Sequence, residues 1–141
     1  METINDTLHI ERSAPQSRSF SEPYWEGTKQ KKLLIQYDAE VGKYQWFPRA
    51  TSRFTGKASK LEWREVPGGG VVYSFTIVRR ARPPFRGHEP FFLAIVELPE
   101  GVQIMGNTMG ITRDEMTIGL KVKPYWHELP DGFHMLMWQK A

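Results

Sequence analysis

The chain has 141 residues, of which 40% are hydrophobic and 13% aromatic, with a formal net charge of +3 and no cysteine. This composition predicts one folded domain with a real core and excludes a disordered polypeptide. The charge is lower than a dedicated nucleic-acid-binding domain usually carries, and no run of roughly 18 apolar residues or signal-peptide pattern occurs, so we expect a soluble, cytoplasmic protein.

The N-terminal part predicts a flexible segment followed by one helix. Residues 1–20 are polar and rich in serine, which is typical of a mobile terminus. Ser21 is a candidate N-cap for a helix that we expect to end near Lys32. Tyr24 and Trp25 are bulky for so short a helix. They either anchor it on its own chain or contact a partner subunit.

Residues 33–63 have the layout of a zinc ribbon from which the cysteines are missing. A structural ribbon places Cys at the first and fourth positions of two knuckles, so that four thiolates surround the ion. The corresponding positions here hold a phenol, a carboxylate and two hydroxyls, namely Tyr37, Glu40, Ser52 and Thr55. Such a set does not bind zinc tightly. We therefore expect a metal-free ribbon held by an apolar cluster of Tyr37, Tyr44, Trp46, Phe47, Phe54 and Trp63.

The remainder of the chain predicts β-strands. Alternating or β-branched and aromatic runs occur at residues 61–66, 71–80, 91–98, 102–105, 120–128 and 133–139. Thr112–Met116 has capping chemistry and predicts one helical turn before the last two strands. Tyr73, Phe75 and Ile77 alternate along one strand, so we expect all three in the core.

Five barrel strands with a short helical turn between the third and fourth are typical of an OB-fold, a partly open Greek-key barrel. The predicted fold is therefore mainly β, in three parts. Residues 1–20 form the flexible segment, residues 21–66 the helix and the rubredoxin-like ribbon without cysteines, and residues 67–141 the OB-fold barrel.

The order of several short segments resembles a known family. These segments are Glu22–Gly27, Leu33–Gln36, Phe47–Arg49, Leu61–Trp63, Gly70–Thr76, Ala94–Leu98 and Ile118–Val122. Over residues 20–139 the chain is similar to the acyl-CoA-associated proteins that join an N-terminal helix and zinc ribbon to an OB-fold, the domain of unknown function thirty-five. It departs from them in lacking the zinc-ligand cysteines.

The resemblance implies a function as an accessory subunit. Such proteins form hetero-oligomers with thiolase-like enzymes, including thiolases, steroid side-chain aldolases and acyltransferases. The partner carries the nucleophile, and the small subunit stabilises the complex and shapes its acyl-CoA site. By this resemblance we expect acyl-CoA to reach the chain only through the complex, with no cofactor or metal of its own.

The most site-like segment is an arginine loop, defined here as residues 79–90. It holds four arginines within eight residues, Arg79, Arg80, Arg82 and Arg86, beside the rigid pair Pro83–Pro84 and the apolar Phe85. Guanidinium groups match phosphates and carboxylates, and an aromatic flanked by arginine is typical of interfaces. The loop is either a solvated surface, a contact with an acidic partner, or a contact with phosphates of coenzyme A or nucleic acid.

No catalytic residue is predicted. The chain contains no nucleophile motif, and His127 and His134 are seven residues apart, which is the wrong spacing for a metalloprotease helix. An alternative function is single-stranded nucleic-acid binding by the OB-fold, with Tyr73, Phe75, Tyr125 and Trp126 as stacking residues. Steep salt dependence would distinguish this alternative from the accessory subunit, whereas co-purification with a thiolase would identify the latter.

Overall fold

The computed structural model describes residues 2–141 and contains one helix and eight strands. In chain order these are α1 (Glu22–Lys29), β1 (Leu33–Asp38), β2 (Lys43–Gln45), β3 (Leu61–Val66), β4 (Gly70–Val78), β5 (Phe91–Glu97), β6 (Gln103–Asn107), β7 (Lys121–Glu128) and β8 (His134–Lys140), with a 3₁₀ turn at Pro130–Gly132. Within the described range, α1 is too short and too polar to span a bilayer. The predicted mainly β class is confirmed.

The strands form two antiparallel sheets. The first has the order β2-β1-β3 and the second the order β6-β5-β4-β7-β8. The second sheet curls until its ends meet, where Thr108, just after β6, forms a bridge with Trp138 of β8. Because the sheet nearly closes on itself and a single turn separates its third and fourth strands, it is the predicted OB-fold barrel.

The turn between β6 and β7 carries the expected capping chemistry. The Thr112 N–H donates to Oε1 of Glu115 at 2.9 Å, and the Glu115 N–H donates back to Oγ1 of Thr112 at 3.4 Å. This reciprocal pair satisfies backbone donors that an isolated helical turn leaves free. The turn therefore forms without a longer helix around it.

The barrel core differs from the sequence expectation at Tyr73. Phe75 and Ile77 pack against the core as expected, but Tyr73 is 52% exposed. A β-bulge between Val72 and Ser74 adds one residue to β4, so the alternation changes phase there. Val72, rather than Tyr73, is buried with the core, and the prediction that Tyr73 lies in the core is wrong.

Helix α1 joins the two sheets. Its Gly27 lies against Leu34 of β1, and the His134 N–H of β8 donates to Oγ1 of the buried Thr28 at 3.2 Å. The helix ends at Lys29 rather than near Lys32, because Lys31 takes a left-handed conformation with φ of 57°. Ser21 precedes the helix but makes no capping bond to it.

The N-terminal segment lies on the barrel. The Asn5 N–H donates to the Pro90 carbonyl at 2.8 Å, and Oδ1 of Asp6 accepts from the Gly110 N–H at 2.9 Å. Thr7 and Ile10 are buried, at 1% and 4% exposure. The segment therefore has a defined place on the surface, while the mobility expected for it stays a prediction.

Candidate functional site

The ribbon-like sheet carries two turns of the same design. The first covers Asp38–Gly42 and the second Ser52–Gly56. In each, the N–H of the final glycine donates to the carbonyl of the first residue, at 2.8 and 2.9 Å. Both glycines are left-handed, with φ of 71° and 74°, a conformation that residues with a Cβ rarely adopt.

The first side chain of each turn also binds the turn's own backbone. Oδ1 of Asp38 accepts from the N–H groups of Glu40 and Val41 at 2.9 and 3.4 Å. Oγ of Ser52 accepts from the N–H groups of Phe54 and Thr55 at 3.0 and 3.3 Å. Each turn is thus organised around one side-chain oxygen at its first position.

The first turn begins one residue later than the sequence analysis places it. Asp38, not Tyr37, corresponds to Ser52, since each is the first residue of its turn. Tyr37 and Asp38 are adjacent in β1, so their side chains point to opposite faces of the sheet. The Tyr37 ring instead contacts Tyr44, with centroids 4.8 Å apart, and lies 3.6 Å from the Arg64 guanidinium. Glu40 is exposed, with its carboxylate 3.9 Å from Nζ of Lys57.

Hydrogen bonds connect the two turns through Asp38, which is only 1% exposed. Oγ1 of Thr55 donates to Oδ2 of Asp38 at 3.4 Å. The nearby Ser52 hydroxyl is the largest cause that lowers the pKa of Asp38, followed by the backbone N–H groups of its own turn. The structure therefore brings Ser52 and Thr55 together with Asp38, and not with Tyr37 and Glu40.

A second buried pair holds the loop between the turns. Nε2 of Gln45 donates to Oε1 of Gln36 at 2.7 Å, and Oε1 of Gln45 accepts from the Arg53 N–H at 2.8 Å. Gln36 binds both the N–H and the carbonyl of Arg49, each at 2.8 Å. Both glutamines are buried, so these bonds hold the loop backbone in place.

The donor set between the turns does not fit the zinc ion that a ribbon implies. It consists of one carboxylate and two hydroxyls, whereas structural zinc is held by thiolates and imidazoles. The carboxylate oxygens already accept hydrogen bonds from both turns. Within residues 2–141, no group of three or more His, Cys, Asp or Glu side chains converges.

The aromatic residues of the ribbon do not all form the expected cluster. Tyr44, Trp46 and Trp63 pack against the core. Phe47, however, is 61% exposed, and Phe54 is 38% exposed. Phe54 instead lies beneath the cations of Lys43 and Arg53, at 5.4 and 5.3 Å from its ring centroid.

The arginine loop is partly neutralised within the chain. Arg79 forms an ion pair with Glu2. The Glu89 carboxylate accepts hydrogen bonds from the N–H groups of Ala81 and Gly87 at 2.8 and 2.6 Å, and backbone hydrogen bonds hold its pKa below the usual range. Across the part of the chain that the structure describes, Arg80, Arg82 and Arg86 are exposed and form no salt bridge.

Phe85 lies within the chain rather than free in solvent. Its ring is half-buried, 5.7 Å from the Phe91 ring and 5.6 Å from the Arg12 guanidinium. Beside it is a shallow apolar hollow of about 250 Å³, lined by Val78, Ala81, Phe85, Phe91, Leu93 and Asn107. Phe85 thus forms one wall of a hollow, and its contact with a partner stays a prediction.

The two aromatic residues of α1 anchor the helix on its own chain. Tyr24 is 7% exposed, and its ring lies 5.3 Å from that of Trp46. Trp25 is half-buried and meets Phe133 edge-on at 6.4 Å. Because the Tyr24 side chain is already covered, it has little surface left for a partner, whereas the partner contact of Trp25 stays a prediction.

The aromatics considered for nucleic-acid stacking do not share one exposed face. Phe75 meets Phe92 edge-on at 5.8 Å, and Trp126 packs against the core. Of the four, Tyr73 alone is strongly exposed. A run of stacked bases needs several exposed rings, so this geometry does not favour that alternative.

Sequence reasoning missed Asp38, although a signal for it was present. Asp38 and Ser52 both precede a glycine by four residues, and Asp and Ser commonly bond to the backbone of a turn that they begin. Aligning the two segments by their glycines gives the register that the structure shows.

Comparison with known proteins found one matching family model and several similar proteins. The family described as "ChsH2, C-terminal OB-fold domain" matches residues 63–127. A DUF35 domain-containing scaffold protein of Methanocaldococcus jannaschii is 25% identical over 108 residues, which are 76% of this chain and 77% of that protein. The chain is thus similar to DUF35 domain-containing proteins, and its OB-fold part matches the ChsH2 C-terminal family.

Two further similarities concern multi-subunit enzymes. The 3-oxo-4,17-pregnadiene-20-carboxyl-CoA hydratase alpha subunit of Mycobacterium tuberculosis is 30% identical over 108 residues, covering 77% of this chain but 34% of that subunit. The chain therefore spans about a third of the hydratase subunit's length. A chain in the structure titled "Ltp2-ChsH2(DUF35) aldolase" superposes with a TM-score of 0.79 at 26% identity, covering 91% of this chain and 99% of that one.

Proposed function

We propose that this protein is a DUF35-type subunit, a non-catalytic accessory subunit of a thiolase-like acyl-CoA enzyme. It stabilises the complex and shapes the acyl-CoA site, while the partner carries the chemistry. The reaction is that of a thiolase, an aldolase or an acyltransferase, and the complex works in the cytoplasm. The chain needs no cofactor of its own. Acyl-CoA binds at the interface with the partner.

The single observation that carries this proposal is the similarity to the DUF35 chain of the Ltp2–ChsH2 aldolase. It extends over 99% of that chain, so it includes helix, ribbon and barrel together rather than the OB-fold alone. The name of the M. tuberculosis hydratase subunit supports a CoA thioester as the substrate class. The scaffold proteins of similar size support a structural role.

The exposed part of the arginine loop has two candidate roles in such a complex. Arg80, Arg82 and Arg86 have free guanidinium groups on the described surface. They contact either coenzyme A phosphates or carboxylates of the partner, since both are matched by the guanidinium fork. Trp25 and Phe85 are the aromatic residues proposed for the partner contact.

The test is purification of the tagged chain from its native cells under mild conditions. We expect a thiolase-like protein to co-purify in a fixed ratio, and the complex to turn over an acyl-CoA. The partner alone should be unstable or less active, and adding the chain back should restore it. A chain that purifies without such a protein contradicts the proposal, and so does a partner whose activity is indifferent to the chain.

A further inference from the structure

The outer face of the barrel carries apolar residues that the rest of the chain covers only in part. Ile95 of β5 pairs directly with Met105 of β6, and directly paired residues of antiparallel strands point to the same side. Ala94 and Val96, on either side of Ile95, are fully buried in the core. Ile95, Met105 and, two residues back along β5, Leu93 therefore face outward.

The exposure of this face extends into β4. Met105 of β6 is 54% exposed. Tyr73 of β4, which the bulge removes from the core, is 52% exposed. Val71, whose partner on β5 is the outward-facing Glu97, is 38% exposed. We call Val71, Tyr73, Leu93, Ile95 and Met105 the outer strip. Ser74 and Thr76 of β4, which pair with Ile95 and Leu93, share this face, so the strip is apolar with two small hydroxyl side chains beside it. Exposed apolar residues grouped on one face often mark a site of association.

The outer strip leads into the apolar hollow beside Phe85. Leu93 belongs to both, and Val78 and Phe91, which pair across β4 and β5, line the hollow next to it. The hollow has a volume of about 250 Å³ and an almost wholly apolar lining. An apolar side chain from another molecule fits it, and hollows of this kind hold the anchor residues of protein interfaces.

The charges around this surface lie at its two ends. The exposed Arg80, Arg82 and Arg86 follow β4 in the chain and are the sequence neighbours of Ala81 and Phe85, which line the hollow. At the other end of the outer strip, Nε2 of Gln103 donates a hydrogen bond to the Glu97 carboxylate at 3.1 Å, so this end is polar. The surface therefore has a mainly apolar centre, positive charge at one end and the Glu97 carboxylate at the other. It complements a partner surface that has apolar residues in its centre and carboxylates at the end facing the arginines.

We propose that the outer strip, the hollow and the exposed arginines form the docking surface for the thiolase-like partner. The partner presents an apolar ridge to the strip, inserts one side chain into the hollow and places carboxylates opposite the arginines. An apolar centre with charge at its rim is the usual composition of a protein interface. This inference rests on the proposed function and specifies which face of the barrel serves it.

The test measures the dissociation constant of the purified partner for three variants in the absence of acyl-CoA. Met105→Glu places a charge in the middle of the strip and should weaken binding about thirtyfold or more, as expected at an interface hot spot. Val41→Glu is the matched control, since Val41 is 40% exposed in the first turn of the other sheet. It should change the dissociation constant by less than about threefold.

The third variant, Arg82→Ala with Arg86→Ala, tests the charged end. It should weaken binding and make it less sensitive to salt, because it removes two charges at the rim. A rise in KM for acyl-CoA with unchanged partner affinity would assign these arginines to coenzyme A and contradict their place in the docking surface.

The outcomes separate the inference from the function. If the partner binds Met105→Glu as tightly as the wild-type chain, with circular dichroism showing both folded, the docking surface is wrong and the accessory function stands. If Met105→Glu and Val41→Glu weaken binding equally, the effect is not specific to this face and the inference also fails. If no thiolase-like protein binds the wild-type chain, the proposed function itself fails.

Discussion

Replacing Gln45 by alanine should loosen the ribbon while leaving the barrel folded. Gln45 is 1% exposed, and the change removes its bonds to Gln36, Thr51 and the Arg53 N–H. Gln36 keeps its bonds to Arg49, so the main loss is the acceptor of the Arg53 N–H, worth about 1–3 kcal/mol. Loss of buried methylene contact adds about 0.8 kcal/mol. We expect a total of roughly 2–4 kcal/mol.

The assay is hydrogen exchange of the Arg53 amide, combined with limited trypsin cleavage after Arg49 and Arg53. Both should accelerate in Gln45→Ala, at denaturant concentrations where β4–β8 remain protected. Gln103→Ala is the matched control, because Gln103 is exposed and its single bond to Glu97 should be worth less than about 0.5 kcal/mol. If Gln45→Ala behaves like this control, the buried glutamine pair does not hold the loop.

Three further outcomes are expected. Because hydrogen bonds lower the folded pKa of Asp38, its carboxylate stabilises the two turns at pH values above its ordinary pKa of 3.8, and this contribution is lost as the pH falls through the folded pKa. Hydrogen exchange should therefore show acid-induced loosening of residues 38–56 in the wild-type chain and not in Asp38→Asn. An identical pH profile for the two chains would contradict this. Elemental analysis should find no tightly held zinc, and about one zinc per chain that survives a chelator would show otherwise. Gly70→Ala should cost roughly 1–3 kcal/mol in a denaturant titration, because its Cβ would lie 2.4 Å from the Glu97 carbonyl oxygen, whereas Gly69→Ala, with no neighbour closer than 3.9 Å, should be tolerated.

Much of the fold could be predicted because its signals are local. The alternation within β3, the β-branched run of β4 and the Thr112–Glu115 capping pair each depend on residues close in sequence. Such patterns determine which segments become strands and where they end, and the order of five strands with one turn then indicates an OB-fold. The arginine loop was likewise visible as a run of one residue type.

Features that depend on register or on distant partners required the structure. One extra residue in the β4 bulge moves Tyr73 out of the core, and a shift of one residue makes Asp38, not Tyr37, the first position of its turn. Glu2 neutralises Arg79 from 77 residues away. The sequence by itself determined strands β3 to β8, their order along the chain and the missing thiolates. Only the tertiary structure decided which side chains share a face. Successive side chains of a strand point to opposite faces of the sheet, so one inserted residue moves every residue beyond it to the other face.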